Sequence, residues 1–239
     1  MKTLLLATAA LTLGATFASA QTVRLGTEGA YPPYNFINDN GEVDGFERVL
    51  GDELCKRAEL TCEWVTNDWD SIIPNLVSGN YDAIIAGMSI TEERDEVIDF
   101  SQNYTQPDPS AYAAAMEDVD LEGGVVAAQT GTIQASHVAE SGAALIEFAT
   151  PDEAVGAVRN GEADAVLADK AFLDPIVGES GGDLMFVGED VLLGGGIGIG
   201  LRESDGELKE KFDAAIQSMK DDGTLNALIA EWLPGMAQF

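Results

Sequence analysis

The sequence predicts an α/β protein of two lobes, each a mostly parallel sheet flanked by helices, with two hinge strands joining them. Three observations lead there. Apolar runs of strand length alternate with segments of helical spacing, which implies parallel sheets with helices on their faces. The alternation restarts after a proline-rich stretch at 105–112, "TQPDPSAY". A glycine-rich stretch at 192–200, "LLGGGIGIG", interrupts it again near the end.

The elements follow in order. Residues 22–27 ("TVRLGT") alternate like a strand, and 45–57 ("GFERVLGDELCKR") carry apolar residues at helical spacing. Residues 62–66 form a second strand. A short helix over 71–79 has Pro74 near its first turn and ends at Gly79. Residues 82–88 ("DAIIAGM") read as a buried strand, and Thr91 is an N-cap type opening the helix of 91–97. The second set has strands at 111–116, 124–129, 144–150, 163–169 and 184–188. Its helices enter after "QTGT" at 130–141 and run over 151–160 and 170–177. Two helices, 205–222 and 224–233, close the chain.

The two punctuation points read as strands crossing between lobes. Residues 21–107 then form the first part of lobe 1, 108–197 form lobe 2, and 198–239 return to lobe 1. Glycines at a crossing can absorb the rotation of a hinge. An ordinary turn at Gly194–Gly196 is the competing reading. A phosphate cradle fits poorly, because no Gly-Lys-Ser/Thr follows and a strand stands where that motif needs a helix.

Residues 1–20 read as a leader. A basic start, an apolar run from Leu4 and an A-x-A site at Ala18-Ser19-Ala20 predict cleavage after Ala20 and export of a soluble product. With 12 basic against 42 acidic residues, the net charge of −30 repels nucleic acid and anionic lipid. Two cysteines, Cys55 and Cys62, meet an oxidising compartment and are expected to pair. With only His137 beside them they make a poor metal site, so neither metal nor cofactor is expected.

In a two-lobed α/β chain, ligands sit where strand carboxyl ends meet helix amino ends. Four segments supply such junctions. In "AGMSITEER" (86–94), Ala86 and Gly87 let bare backbone approach a ligand, Ser89 offers a hydroxyl, and Arg94 can grip a carboxylate through two parallel N–H bonds. Surface pairing of Arg94 with Glu92, Glu93 or Asp95 is the alternative. In "QTGTIQ" (129–134), Gln129 and Thr132 flank a glycine turn that either attracts a carboxylate or simply caps a helix. Asp169 could take an ammonium group or cap the helix after it. In "TEGAYPPYNF" (27–36), Glu28 could reach a distal cation, while Tyr31 and Trp69 could sandwich an aliphatic stem or a guanidinium plane. Glu28 could equally be a solvated acid and Trp69 a core residue.

Together, "GTEGAYPPYNF", "DGFERVLGDELCKRAELTCEWV", "WDSIIPNLVSGNYDAIIAGMSITEER", "QTGT", "GEADAVLAD" and "GIGIGLR…DGT" resemble the periplasmic polar amino-acid-binding proteins of ABC importers. This is the type II group of solute-binding protein family 3, with lysine/arginine/ornithine-, histidine-, arginine-, glutamine- and opine-binding members. The resemblance runs from the leader to Trp232. It implies two lobes closing on an L-amino acid and a membrane permease as partner of a periplasmic, monomeric protein.

Residue by residue, the resemblance gives Arg94 the α-carboxylate, with help from Ser89 and the Thr132 turn. Asp169 takes the α-ammonium, with backbone help near Ala86. Tyr31 and Trp69 form the aromatic clamp, Glu28 takes the ligand's distal end, and Cys55–Cys62 is a disulfide. The implied ligand is cationic: arginine, lysine, ornithine, histidine or an opine. Two departures stand out. Ala86-Gly87 replaces two serines common in lysine/arginine members, and Ile133 stands where a hydroxyl is common. A neutral polar ligand such as glutamine, and an enzyme like the cyclohexadienyl dehydratases that resemble this family, are the alternatives.

Overall fold

A computed structural model describes residues 22–239. The leader read at 1–20 and its cut after Ala20 lie outside the described residues.

The first set of elements is β1 (Val23–Thr27), β2 (Ala30–Tyr31), β3 (Asn35–Ile37), β4 (Val43–Asp44), α1 (Phe46–Arg57) and β5 (Cys62–Thr66). A 3₁₀ turn at Trp69–Ser71 leads into α2 (Ile72–Val77), then β6 (Ala83–Ile84), α3 (Glu92–Asp95) and β7 (Asp99–Phe100). The second set is β8 (Pro109–Ala114), β9 (Val125–Gln129), α4 (Ile133–Ser141), β10 (Ala144–Phe148), α5 (Pro151–Arg159), β11 (Ala165–Asp169), α6 (Lys170–Glu179) and β12 (Met185–Leu192). The chain closes with β13 (Gly200–Leu201), α7 (Gly206–Asp221) and α8 (Thr224–Trp232).

Two five-stranded sheets result, ordered β5-β1-β6-β13-β7 and β10-β9-β11-β8-β12, with a small sheet β2-β3-β4 beside the first. The parallel part of each is a strand–helix–strand set, β1 with β5 and β6, and β9 with β10 and β11. The remaining strands run antiparallel: β13 against β6 and β7, and β8 against β11 and β12. These follow the segments that pass from one sheet to the other, so they enter their sheet from the opposite direction.

Why α1 lies where it does is set by its pattern. Phe46, Leu50 and Leu54 fall on one face and are fully buried, against Phe212, Ile216 and Met219 of α7 and Leu225 and Ile229 of α8. Each such side chain contributes about 1.5–3 kcal/mol by leaving water. The two closing helices thus pack on α1 and on each other. A disulfide between Cys55 and Cys62 ties the end of α1 to the start of β5, as expected.

Several elements differ from the sequence reading. The strand read at 82–88 pairs only at Ala83–Ile84, because the chain bends at Gly87 (φ 61°) and Ser89 forms an isolated bridge to Ile197 instead. The helix after Thr91 is a single turn, capped as expected by the Thr91 hydroxyl, which accepts from Arg94 N. The strand β8 starts at Pro109 rather than residue 111, and β12 runs on to Leu192 past an irregularity between Val187 and Val191.

The two passing segments lie side by side. Tyr104 N donates to Ile197 O at 2.8 Å, and Ile197 N donates to Thr105 Oγ1 at 3.2 Å. Gly196 sits between them at φ 91°, where a Cβ would stand 2.5 Å from Thr105 O. Only glycine fits that approach.

Candidate functional site

The carboxyl ends of β1, β9 and β11, with the bend after β6, face a cavity of about 330 Å³. All ten residues singled out as ligand contacts line it, together with Ile133 and Gln134.

Arg94 reaches the cavity from the one-turn helix α3. Its Nη1 donates to Ser89 O at 2.9 Å, and its Nη2 donates to Gly131 O at 3.3 Å. The guanidinium carbon stands 5.3 Å from the centroid of the Trp69 ring. Among the described residues no carboxylate forms an ion pair with it, so pairing with Glu92, Glu93 or Asp95 does not occur. Burial lowers the guanidinium to about 10, while the fields of Asp169 and Glu93 oppose that fall. It remains cationic at neutral pH.

Asp169 ends β11 and precedes α6, yet its side chain does not cap that helix. Its Oδ2 accepts from the Tyr31 hydroxyl at 2.7 Å, and its Oδ1 accepts from Gln134 Nε2 at 2.8 Å. Burial raises this carboxyl, against the lowering by the Tyr31 bond, the Arg94 charge and the Gln134 bond. The phenol of Tyr31 also accepts from Asp169 N at 3.2 Å. Thr132 does cap α4, accepting from Ala135 N at 3.1 Å and donating to Gln129 O at 2.7 Å. Its hydroxyl is already engaged, whereas the Ser89 hydroxyl has no such bond among the described residues.

The aromatic arrangement departs from the sandwich read in the sequence. Tyr31 stacks on Phe172 at 4.5 Å and on Tyr34 at 5.8 Å, while Trp69 lies against Arg94. Both rings still line the cavity. The reason is tertiary: Tyr31 of β2 meets the buried Phe172 of α6, which comes from the second set of elements.

Glu28 follows the last residue of β1. Its Oε1 accepts from Gln129 Nε2 at 2.6 Å. Burial raises this carboxyl to about 7, against the lowering by the Gln129 bond and with a further rise from Asp68, Asp152 and Glu47.

Two supporting residues escaped the sequence reading, Gln134 in the cavity wall and Glu47 behind it. Gln134 donates to Ser110 Oγ at 2.9 Å as well as to Asp169, and so fixes that carboxylate. Glu47 is fully buried on α1. It accepts from Gly87 N at 2.6 Å, from Asn35 Nδ2 at 2.7 Å and from the Tyr104 hydroxyl. Asn35 in turn accepts from Gly29 N at 2.7 Å. One carboxylate thus holds both the Gly87 bend and, through Asn35, the turn after Glu28. The signal for Glu47 was present: it shares the apolar face of α1 with Leu50 and Leu54, where a charge has no business unless hydrogen-bonded.

A two-lobed α/β scaffold with a cation, a carboxylate and aromatic rings converging between its sheets defines an extracytoplasmic solute-binding protein. Residues 23–235 match the bacterial extracellular solute-binding proteins, family 3, and the chain belongs to that family. A periplasmic His/Glu/Gln/Arg/opine family-binding protein from Silicibacter pomeroyi, solved in complex with lysine, is 73% identical. It superposes with a TM-score of 0.90 over 91% of this chain and 100% of its own. An ancestral arginine-binding protein solved bound to glutamine is 34% identical, with a TM-score of 0.81 over 88% of this chain and 97% of its own. The lysine/arginine/ornithine-binding periplasmic protein of Escherichia coli is 31% identical over 90% of this chain and 88% of its own length.

Proposed function

We propose that this chain captures a cationic L-amino acid, with lysine, arginine, ornithine, histidine or an opine as candidates, and delivers it to the permease of an ABC importer. The observation that carries the reading is Arg94, a cavity-lining cation with no carboxylate partner among the described residues. An α-carboxylate supplies the missing anion through two parallel N–H bonds. The α-ammonium then meets Asp169, and the distal cation meets Glu28. The lysine complex of the 73% identical relative supports the same ligand class.

Contacts that cross the cavity support delivery by closure. Tyr31 and Asp169, Glu28 and Gln129, and Arg94 and Gly131 each join residues of the two proposed lobes. A ligand touching both sides favours the closed arrangement by its differential affinity, and a permease can read that arrangement. On this reading the protein works as a monomer in the periplasm, after removal of residues 1–20. The proposed lobe boundaries are 21–107 with 198–239, and 108–197.

The protein acts here as a binder and not as an enzyme. Asp169, which an enzyme reading would use as acid or base, is already held by two donors. The test is calorimetric titration of refolded, ligand-stripped mature protein with L-arginine, L-lysine, L-histidine, octopine and L-glutamine, followed by mass analysis of the recovered ligand. Tight binding confined to cationic ligands, recovered unchanged, is expected. A preference for glutamine would overturn the ligand class, and a new mass would make the protein an enzyme.

A further inference from the structure

Resting on that reading of two lobes closing on a cation, we infer that the lobes repel each other, and that this repulsion is a source of specificity apart from any ligand contact: it opposes closure on a neutral ligand, is partly offset by a cationic one, and is tuned by salt. Residues 108–197 hold 17 acidic against 2 basic residues, a net of −15. Residues 22–107 and 198–239 together hold 25 against 9, a net of −16. The two proposed lobes thus carry the same sign in nearly equal amount.

No countercharge ties them. Among the described residues every ion pair stays within one lobe, as Lys170 with Asp190 does in the second and Arg24 and Arg202 with Asp82 do in the first. Acids of both lobes also act on one point between them. Burial raises the Glu28 carboxyl, and the fields of Asp68 from one lobe and Asp152 from the other raise it further. Both of these carboxylates are exposed. Arg94 and Asp169 attract each other across the cavity, but a bound α-carboxylate and α-ammonium take up both charges.

Closing moves two bodies of like charge toward each other. The work lowers the closed population, and apparent affinity falls with the fraction that can close. Repulsion between exposed charges reaches about one Debye length, about 30 Å at 0.01 M salt and about 8 Å at 0.15 M. Salt therefore relieves it. A ligand of net positive charge sits where the potentials of both lobes add, and it offsets part of the work. A zwitterion of zero net charge offsets none.

The experiment titrates wild type, the double variant Asp68→Asn with Asp152→Asn, and Arg94→Ala. The ligands are L-lysine and L-norleucine, a zwitterion with no distal amine, and the salt runs from about 10 mM to about 150 mM NaCl. In wild type, norleucine should bind about threefold tighter at the higher salt, and the lysine-to-norleucine ratio should narrow. The double variant should bind norleucine tighter than wild type at low salt and lose about half of the rise, because two carboxylates acting on the same point from opposite lobes are gone. Norleucine affinity that stays flat or falls with salt in wild type, or a rise that the double variant keeps in full, overturns this inference alone when Arg94→Ala is inactive. Undiminished binding by Arg94→Ala overturns the site reading and this inference with it.

Discussion

Arg94 and Trp69 form a cation–ring pair, the guanidinium carbon 5.3 Å from the indole centroid. The ring faces the cation without neutralising it, and backbone carbonyls of Ser89 and Gly131 accept two of its N–H groups. A charge held this way keeps its field for a ligand.

Arg94→Ala should therefore weaken every L-amino acid ligand by about 2–5 kcal/mol, the cost of leaving a buried carboxylate unpaired. Arg94→Lys should recover part of it, since an ammonium keeps the charge but not the fork. Calorimetry measures the loss, and circular dichroism shows whether each variant is folded. Equal loss for lysine and norleucine is expected, because Arg94 reads the end that both ligands share.

Glu28 gives a pH dependence whose sign is fixed. Its carboxyl is raised to about 7, so below that pH it carries a proton that must leave before a distal cation can pair. Affinity for lysine should rise with pH up to about 7 and then level off, falling about tenfold at one unit below. Norleucine affinity should stay flat over the same range. Titration in two buffers of different ionisation heat at pH 7 should show proton release with lysine alone. A flat lysine profile from pH 5.5 to 8 would return Glu28 to the role of a spectator acid.

Glu47→Ala should destabilise the fold by roughly 2–4 kcal/mol, since Gly87 N, Asn35 Nδ2 and the Tyr104 hydroxyl lose a shared buried acceptor. Urea unfolding gives the value. Ligand affinity should fall as well, because the same carboxylate holds the Gly87 bend and, through Asn35, the turn at Gly29. A variant with wild-type affinity would confine Glu47 to the core.

Replacing Cys55 and Cys62 by serine should cost about 2.5 kcal/mol by the chain-entropy relation for their seven-residue separation. Binding should not change, because the bond lies at the far end of α1 from the cavity lining. Thermal melts with and without lysine separate the two quantities.

Much of this was legible before any coordinates. The Thr91 cap, the helix over 151–160 and the strand over 124–129 each follow from a handful of neighbouring residues with a local physical cause. Ten of the twelve cavity-lining residues were legible too, because they stand near the carboxyl end of a strand or the start of a helix. What misled was pairing that depends on distant chain. Residues 85–88 look like strand, being wholly apolar or glycine, but Ser89 finds its partner in Ile197, more than a hundred residues on.

By itself, then, the sequence determined the alternating architecture, the cysteine pair and which side chains stand at junctions, since periodicity, capping and loop chemistry act over a few residues. The tertiary structure alone decided the states of those side chains. It left Arg94 without an acid among the described residues, turned Asp169 away from capping toward Tyr31, and spent the Gln129 amide nitrogen on Glu28 and Ala149. Hydrogen-bond partners and burial are properties of segments brought together from opposite parts of the chain, and no local pattern contains them.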